Sequence, residues 1–257
     1  MSRRHLTFTC GGARLAATLD EGDAATGLLL VSGGNDIRSG AWSGQAQFSA
    51  RIASEGFPVL RFDRRGVGDS EGANGEFRSS AADIAAARDA LREHAPQIER
   101  VVGFGNCDAA SALMLAGGAG LDALVVSNPW IFEDGGDAPP PLAVRAHYRR
   151  RLADPAAIRR LATGQVSLRN LFSSLASALR PAPPPGTLAQ DMAAGIEGFA
   201  GEVAILIADR DRTGQAFLSA WRKGDPRIRT CEDATHSYVE AHARDWLADR
   251  VLEVLRD

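Results

Sequence analysis

Three residues carry nucleophilic chemistry in a setting that makes them a set. They are Cys107 in RVVGFGNCDAASALML, Asp211 in EVAILIADRD and His236 in RTCEDATHSY. A thiolate attacks a carbonyl carbon, an imidazole takes and returns the proton, and a carboxylate orients the imidazole and stabilises its charged form. Each residue follows a strand-like segment, in the chain order nucleophile, acid, histidine. Competitors are present. Cys10 and Cys231 read as small buried hydrophobes, the common fate of a free cysteine. Of the five histidines, only His236 falls in a loop after a late strand; His242 lies within the last helix. Asp209 competes with Asp211, which is preferred because it sits clear of the strand end.

These groups work only if the chain brings them together. GLLLVSGG, FPVLRFDRRG, RVVGFGN and DALVVSNPW are apolar runs ended by glycine or charge, the pattern of strands buried on both faces. Between them, QAQFSARIASEG and SSAADIAAARDALREHA place apolar residues three and four apart, as helices do. CDAASALMLAGGAG is a further helix. HLTFTC and ARLAATLDEG form an N-terminal strand pair turned at Gly11-Gly12. After Trp130 the rhythm breaks. PLAVRAHYRRRLADPAAIRRLATG and SLRNLFSSLASALR read as helices bordered by the Pro-rich stretches EDGGDAPPP and PAPPPG. Alternation resumes at EVAILIADRD and runs through GQAFLSAWRKG and RIRTCEDA to a last helix in YVEAHARDWLADRVLEVLRD. The expectation is an α/β fold with a mostly parallel eight-stranded sheet and helices on both faces. Its core is 1–129 and 201–257, with a helical cap inserted at 130–200. Ligands bind outside the carboxyl ends of parallel strands, where all three candidates fall.

Composition removes other function classes. Apolar content of 45% and charged content of 24% suit an ordinary globular chain. A net charge of −3 carries no nucleic-acid footprint. Three widely spaced cysteines, none in a CxxC, argue against a disulfide framework or a zinc site. The absence of a long apolar run predicts no membrane span and no secretory signal, hence reduced thiols in the cytoplasm. GVGDSEG lacks the lysine of a phosphate-binding loop. Asp63 reads as a loop cap, working through Arg64, Arg65 or backbone N–H groups.

Specific segments resemble the α/β hydrolases. GNCDA resembles their nucleophile elbow, G-x-S-x-G, with cysteine for serine and alanine for the last glycine. RFDRRGVGDSEG resembles the D-x-R-G-x-G-x-S segment after the fourth strand, and ADRD and DATHSY stand where that family carries its acid and histidine. Within the family, the chain resembles exosortase A system-associated hydrolases of type 1 in RFD.RG.GDSEG and in a CDAASA elbow. The resemblance implies a fold with a cap, a Cys107–Asp211–His236 triad, and an oxyanion site built from the backbone N–H groups of Gly34 and Asp108. Asn35, Arg38 and Trp130 are expected to contact substrate, Arg38 by holding an anionic group at the entrance.

The chemistry of sulfur narrows the substrate. An acyl-cysteine is itself a thioester, so exchange from a thioester or activated ester is nearly balanced, whereas an amide resists attack. The expected function is hydrolysis, or transfer, of an acyl group from such donors, with no metal or organic cofactor. Arg145, Arg149, Arg150, Arg151, Arg159 and Arg160 of the insertion read as a solvated helix face, or as a basic lid for coenzyme A or a carrier-protein arm. Two other readings stand beside this one: an esterase or lactonase for small oxygen esters, and a non-catalytic binding protein on the same fold.

Overall fold

The computed structural model describes residues 2–132 and 187–257. The expected helices at 141–164 and 167–180 lie outside the described residues. The first two strands, β1 (Arg3–Cys10) and β2 (Ala13–Asp20), form the expected hairpin. They are followed by β3 (Thr26–Val31), α1 (Gly44–Ser54), β4 (Val59–Phe62), α2 (Ala81–His94), β5 (Arg100–Asn106), α3 (Asp108–Leu115) and β6 (Ala123–Ser127). After the gap come α4 (Thr187–Glu197), β7 (Glu202–Ala208), α5 (Arg212–Ala220), β8 (Ile228–Cys231) and α6 (Ala241–Arg256).

One eight-stranded sheet results, in the order β1-β2-β4-β3-β5-β6-β7-β8. Pairing is antiparallel for β1–β2 and β2–β4 and parallel from β4 to β8. This is the mostly parallel α/β architecture that the alternating segments imply. β6 pairs directly with β7, so the intervening segment leaves and re-enters between neighbouring strands.

Strand residues alternate between two cores. Leu29, Val31, Leu60, Phe62, Leu124, Val126, Ile205 and Ile207 pack on one face, beneath α2, α3, α4 and α5. Leu28, Leu30, Val102, Phe104, Val125 and Leu206 pack on the other, beneath α1 and α6. Because both faces are covered, the central strands β3, β5 and β6 are almost wholly buried along their length. α4 seats Leu188, Met192 and Ile196 in the first core, so this end of the expected insertion packs on the body. Two helices are shorter than their periodicity implies. α3 stops before Gly117, Gly118 and Gly120, all at positive φ. α6 begins only at Ala241, because Tyr238 sits at φ 50°. Among the described residues, no helix is long and apolar enough to cross a membrane.

A buried carboxylate fixes the loops at the carboxyl end of β3 and β4. Asp63, fully buried, accepts the backbone N–H of Arg38 at 2.5 Å and that of Asp69 at 3.0 Å. It also pairs with the Arg38 guanidinium. Gly68, at φ 56°, admits this contact, since a Cβ there would stand 2.4 Å from the carboxylate. The loop-capping role expected for Asp63 is therefore met through backbone donors and Arg38. Arg64 and Arg65 turn elsewhere, to Ser80 and Asp83.

Removing one partner of such a buried pair leaves the rest uncompensated, at a cost of about 3–5 kcal/mol. Asp63→Ala is expected to lower the urea unfolding free energy by about that amount. A loss below about 1 kcal/mol would mean that the loops are held by other contacts.

Candidate active site

The turn between β5 and α3 is sharp enough to place Cys107 at φ 62°, ψ −128°. A positive φ at a non-glycine residue is costly and persists only where surrounding contacts impose it. Here the Cys107 N–H donates to the Ser127 carbonyl at 3.0 Å. The Cys107 carbonyl accepts from the backbone N–H groups of Ser111 and Trp130 at 3.3 and 3.2 Å. Close approach of helix to strand needs small residues. A Cβ on Gly105 would stand 2.8 Å from the Ala109 carbonyl carbon, and Ala109 is itself fully buried.

The three cysteines differ in setting. Cys107 is partly exposed at the apex, whereas Cys10 and Cys231 are buried. Burial pushes both of those thiols up from their ordinary range, and neighbouring Asp83 and Asp209 act in the same direction. A buried thiol of raised pKa is inert.

His236 meets the acid from the preceding strand end. Its Nδ1 lies 3.0 Å from Asp211 Oδ2. Asp211 is the N-cap of α5, and its carboxylate also accepts the Gly214 N–H at 2.9 Å. Capping thus fixes the rotamer that faces the imidazole. Asp209, the competitor, directs its backbone into the sheet end, its N–H donating to the Cys231 carbonyl at 3.1 Å. The hydrogen bond to Asp211, and then that with Cys107, hold the His236 imidazolium up to about 10, from an ordinary 6.5, against the opposing effect of burial.

The backbone carrying His236 is braced by two asparagines that sequence reasoning missed. Asn106 Nδ2 donates to the His236 carbonyl at 3.2 Å. Asn128, fully buried at φ 43°, donates to the same carbonyl at 3.4 Å and to Asn106 Oδ1 at 3.1 Å. It accepts the Ala208 N–H at 2.8 Å, which ties β6 to the end of β7. Tyr238 anchors the far side of the loop, its hydroxyl 2.9 Å from Ser127 Oγ. The available signal was an asparagine at the carboxyl end of two buried strands, in GFGN and in SNPW.

A cavity of about 490 Å³ opens beside Cys107 and His236. Leu30, Phe48, Phe104 and Leu247 supply apolar wall between α1 and α6. Asn35, Arg38 and Trp130, expected to contact substrate, are not among its walls. Asn35 is exposed and accepts from Asn74 at 2.7 Å. Arg38 spends its guanidinium on Asp63, Asp69 and Thr18, bracing the loop instead of facing the entrance. The Trp130 indole donates to the Phe132 carbonyl at 2.9 Å and packs edge-on against that ring. Of the two expected oxyanion donors, the Gly34 N–H donates at 2.5 Å to the Asp108 side chain. The Asp108 N–H lies at the first position of α3, where no intrahelical acceptor exists.

The raised value of His236 carries a stability consequence. A group whose folded value lies above its unfolded one stabilises the fold fully below the unfolded value, here 6.5, and loses that contribution as pH rises through about 10. Asp211→Asn is expected to lower the His236 titration, followed by imidazole NMR, by about one to three pH units. A titration left in place would show that the carboxylate is not its source.

A family model described as the alpha/beta hydrolase family matches residues 28–250. No curated protein matches the chain. Among solved structures, the alpha/beta hydrolase GrgF from Penicillium sp. sh18 is similar at TM-score 0.65 and 16% identity, over 100% of this chain and 98% of that one. The Pyrococcus furiosus esterase Pf2001 is similar at TM-score 0.60 and 17% identity, over 99% and 92%. XC6422 from Xanthomonas campestris, described as an α/β serine hydrolase without a lid, gives 0.59 and 12%, over 100% and 94%. With the elbow after β5, the acid after β7 and the histidine after β8, the chain belongs to the alpha/beta hydrolase family.

Proposed function

We propose that this protein hydrolyses, or transfers, an acyl group from a thioester or activated ester through an acyl-cysteine on Cys107. The observation that carries the proposal is a partly exposed cysteine at a positive-φ elbow, in the wall of the same cavity as a histidine whose Nδ1 lies 3.0 Å from the Asp211 carboxylate. An imidazole beside a cysteine can take the thiol proton and so supply the thiolate that attacks. The thiolate attacks the carbonyl carbon, and the π pair moves to oxygen. Collapse expels the leaving group, which takes the proton from His236. Acylation removes the thiolate charge, and with it one of the influences that raise His236. The neutral imidazole then accepts a proton from water or another acceptor, which attacks the thioester.

Sulfur favours donors whose leaving group matches a thiolate, so coenzyme A or carrier-bound thioesters head the candidates. The subgroup resemblance to exosortase A system-associated hydrolases belongs to the same proposal, as does a basic cap drawn to anionic carriers. Oxygen esters are the second reading, supported by the likeness to the esterase Pf2001 and to Est1E from Butyrivibrio proteoclasticus, which binds ferulic acid. No cofactor enters either route.

Mixing the protein with p-nitrophenyl acetate, and separately with acyl-coenzyme A thioesters, tests this directly. A burst of leaving group should accompany a stoichiometric acyl adduct, mapped to Cys107 by mass spectrometry. Cys107→Ala should lose turnover by about a thousandfold or more. Absence of an adduct, together with turnover indifferent to Cys107→Ala, would sink the proposal. A higher kcat/KM for thioesters than for matched oxygen esters decides between its two substrate classes.

A further inference from the structure

The D-x-R-G and G-x-S-x-G patterns leave two positions open that are filled here by opposite charges, Arg64 and Asp108. They meet at Gly34. Asp108 Oδ1 accepts the Gly34 N–H at 2.5 Å, and its Oδ2 lies 3.6 Å from the Arg64 guanidinium. Arg64, 5% exposed, donates to the Gly34 carbonyl and, at 3.1 Å, to Ser80 Oγ. Gly33 makes room for the arrangement, because a Cβ there would stand 2.8 Å from Asp108 Oδ1. A carboxylate therefore holds the N–H that an oxyanion on Cys107 would require.

We propose that Asp108 is a displaceable plug in the oxyanion site and so sets which acyl donors react; this rests on the reading of Cys107 as nucleophile. Hydrogen bonds to a charged acceptor are roughly twice as strong as neutral ones. A ground-state carbonyl oxygen cannot take the Gly34 N–H from a carboxylate. The oxyanion of the tetrahedral intermediate carries full charge and can compete. As the sulfur–carbon bond forms, Asp108 releases Gly34 and closes its gap to Arg64. When the intermediate collapses and the leaving group departs with the proton of His236, Asp108 returns. One oxyanion donor is worth about 10²–10³ in rate. A plugged donor accordingly excludes sluggish carbonyls and passes thioesters and activated esters.

The test compares two reagents on Cys107. p-Nitrophenyl acetate acylates the sulfur through an oxyanion, whereas iodoacetamide alkylates it without forming one. Asp108→Asn removes the charge and keeps the shape, and Asp108→Ser serves as a second variant should the first fail to fold by circular dichroism. The expected result is that the acylation rate rises at least about tenfold more than the alkylation rate. Equal factors for the two reagents would assign Asp108 a charge effect on the thiol alone and overturn the plug. Slower acylation with unchanged alkylation would overturn it as well, making Asp108 a latch that the site needs. If iodoacetamide labels Cys107 while no form of the protein takes an acyl group, the nucleophile reading fails and the plug with it.

Discussion

The site depends on one backbone conformation, the positive φ at Cys107. Such a conformation costs about 1–3 kcal/mol and must be imposed from outside. The constraint comes from three directions. β5 and β6 fix the Cys107 N–H on Ser127, α3 presses onto Gly105, and the carbonyl of Cys107 collects donors from Ser111 and Trp130. The cost is carried by a sheet buried on both faces, whose central strands are lined with fully buried leucine, valine and isoleucine. What the fold gains is a thiol lifted out of its own backbone hydrogen bonding and presented at the carboxyl end of the sheet.

The acid and the histidine arrive by separate routes, and each is held by a group whose first task is structural. Asp211 caps α5, so the need to satisfy a helix terminus fixes the carboxylate that faces His236. Asn128, buried at the end of β6, satisfies the Ala208 N–H and braces the His236 carbonyl with its other end. Gly214 is required to let it do so, since a Cβ there would stand 2.7 Å from Asn128 Oδ1. Buried polar groups must find partners, and here satisfying them aligns the strand ends that carry the candidate residues.

The fold was legible because its strands are continuous apolar runs and its helices carry apolar residues three and four apart. Cys107, Asp211 and His236 stand out as candidates because each follows a strand, at the end of the sheet where ligands bind. Contacts decided by rotamers were not. Arg38 stands near the site in the chain, but its guanidinium pairs with the buried Asp63. Trp130 is occupied by Phe132. Asn106 and Asn128 look like ordinary strand-end residues until β5, β6 and the His236 loop are placed side by side. The Asp108 contact with Gly34 joins residues 74 positions apart, and no local pattern announces it.

Cysteine and the raised histidine make sense only together. A serine hydroxyl needs the imidazole to remove its proton, whereas the raised value of His236 is owed in part to Cys107 itself. An imidazolium suits a thiolate, which needs a counter-charge more than it needs a base. Asp211, which leads the causes of the shift, orients the imidazole through its 3.0 Å contact with Nδ1. The carboxylate of Asp108 adds a second selection. In the proposed plug, negative charge beside the oxyanion position makes the site stabilise a tetrahedral intermediate less readily than an open oxyanion hole would. In that proposal, a donor with a good leaving group compensates by making the intermediate short-lived. The proposed reading thus restricts the chemistry to acyl groups that are already activated.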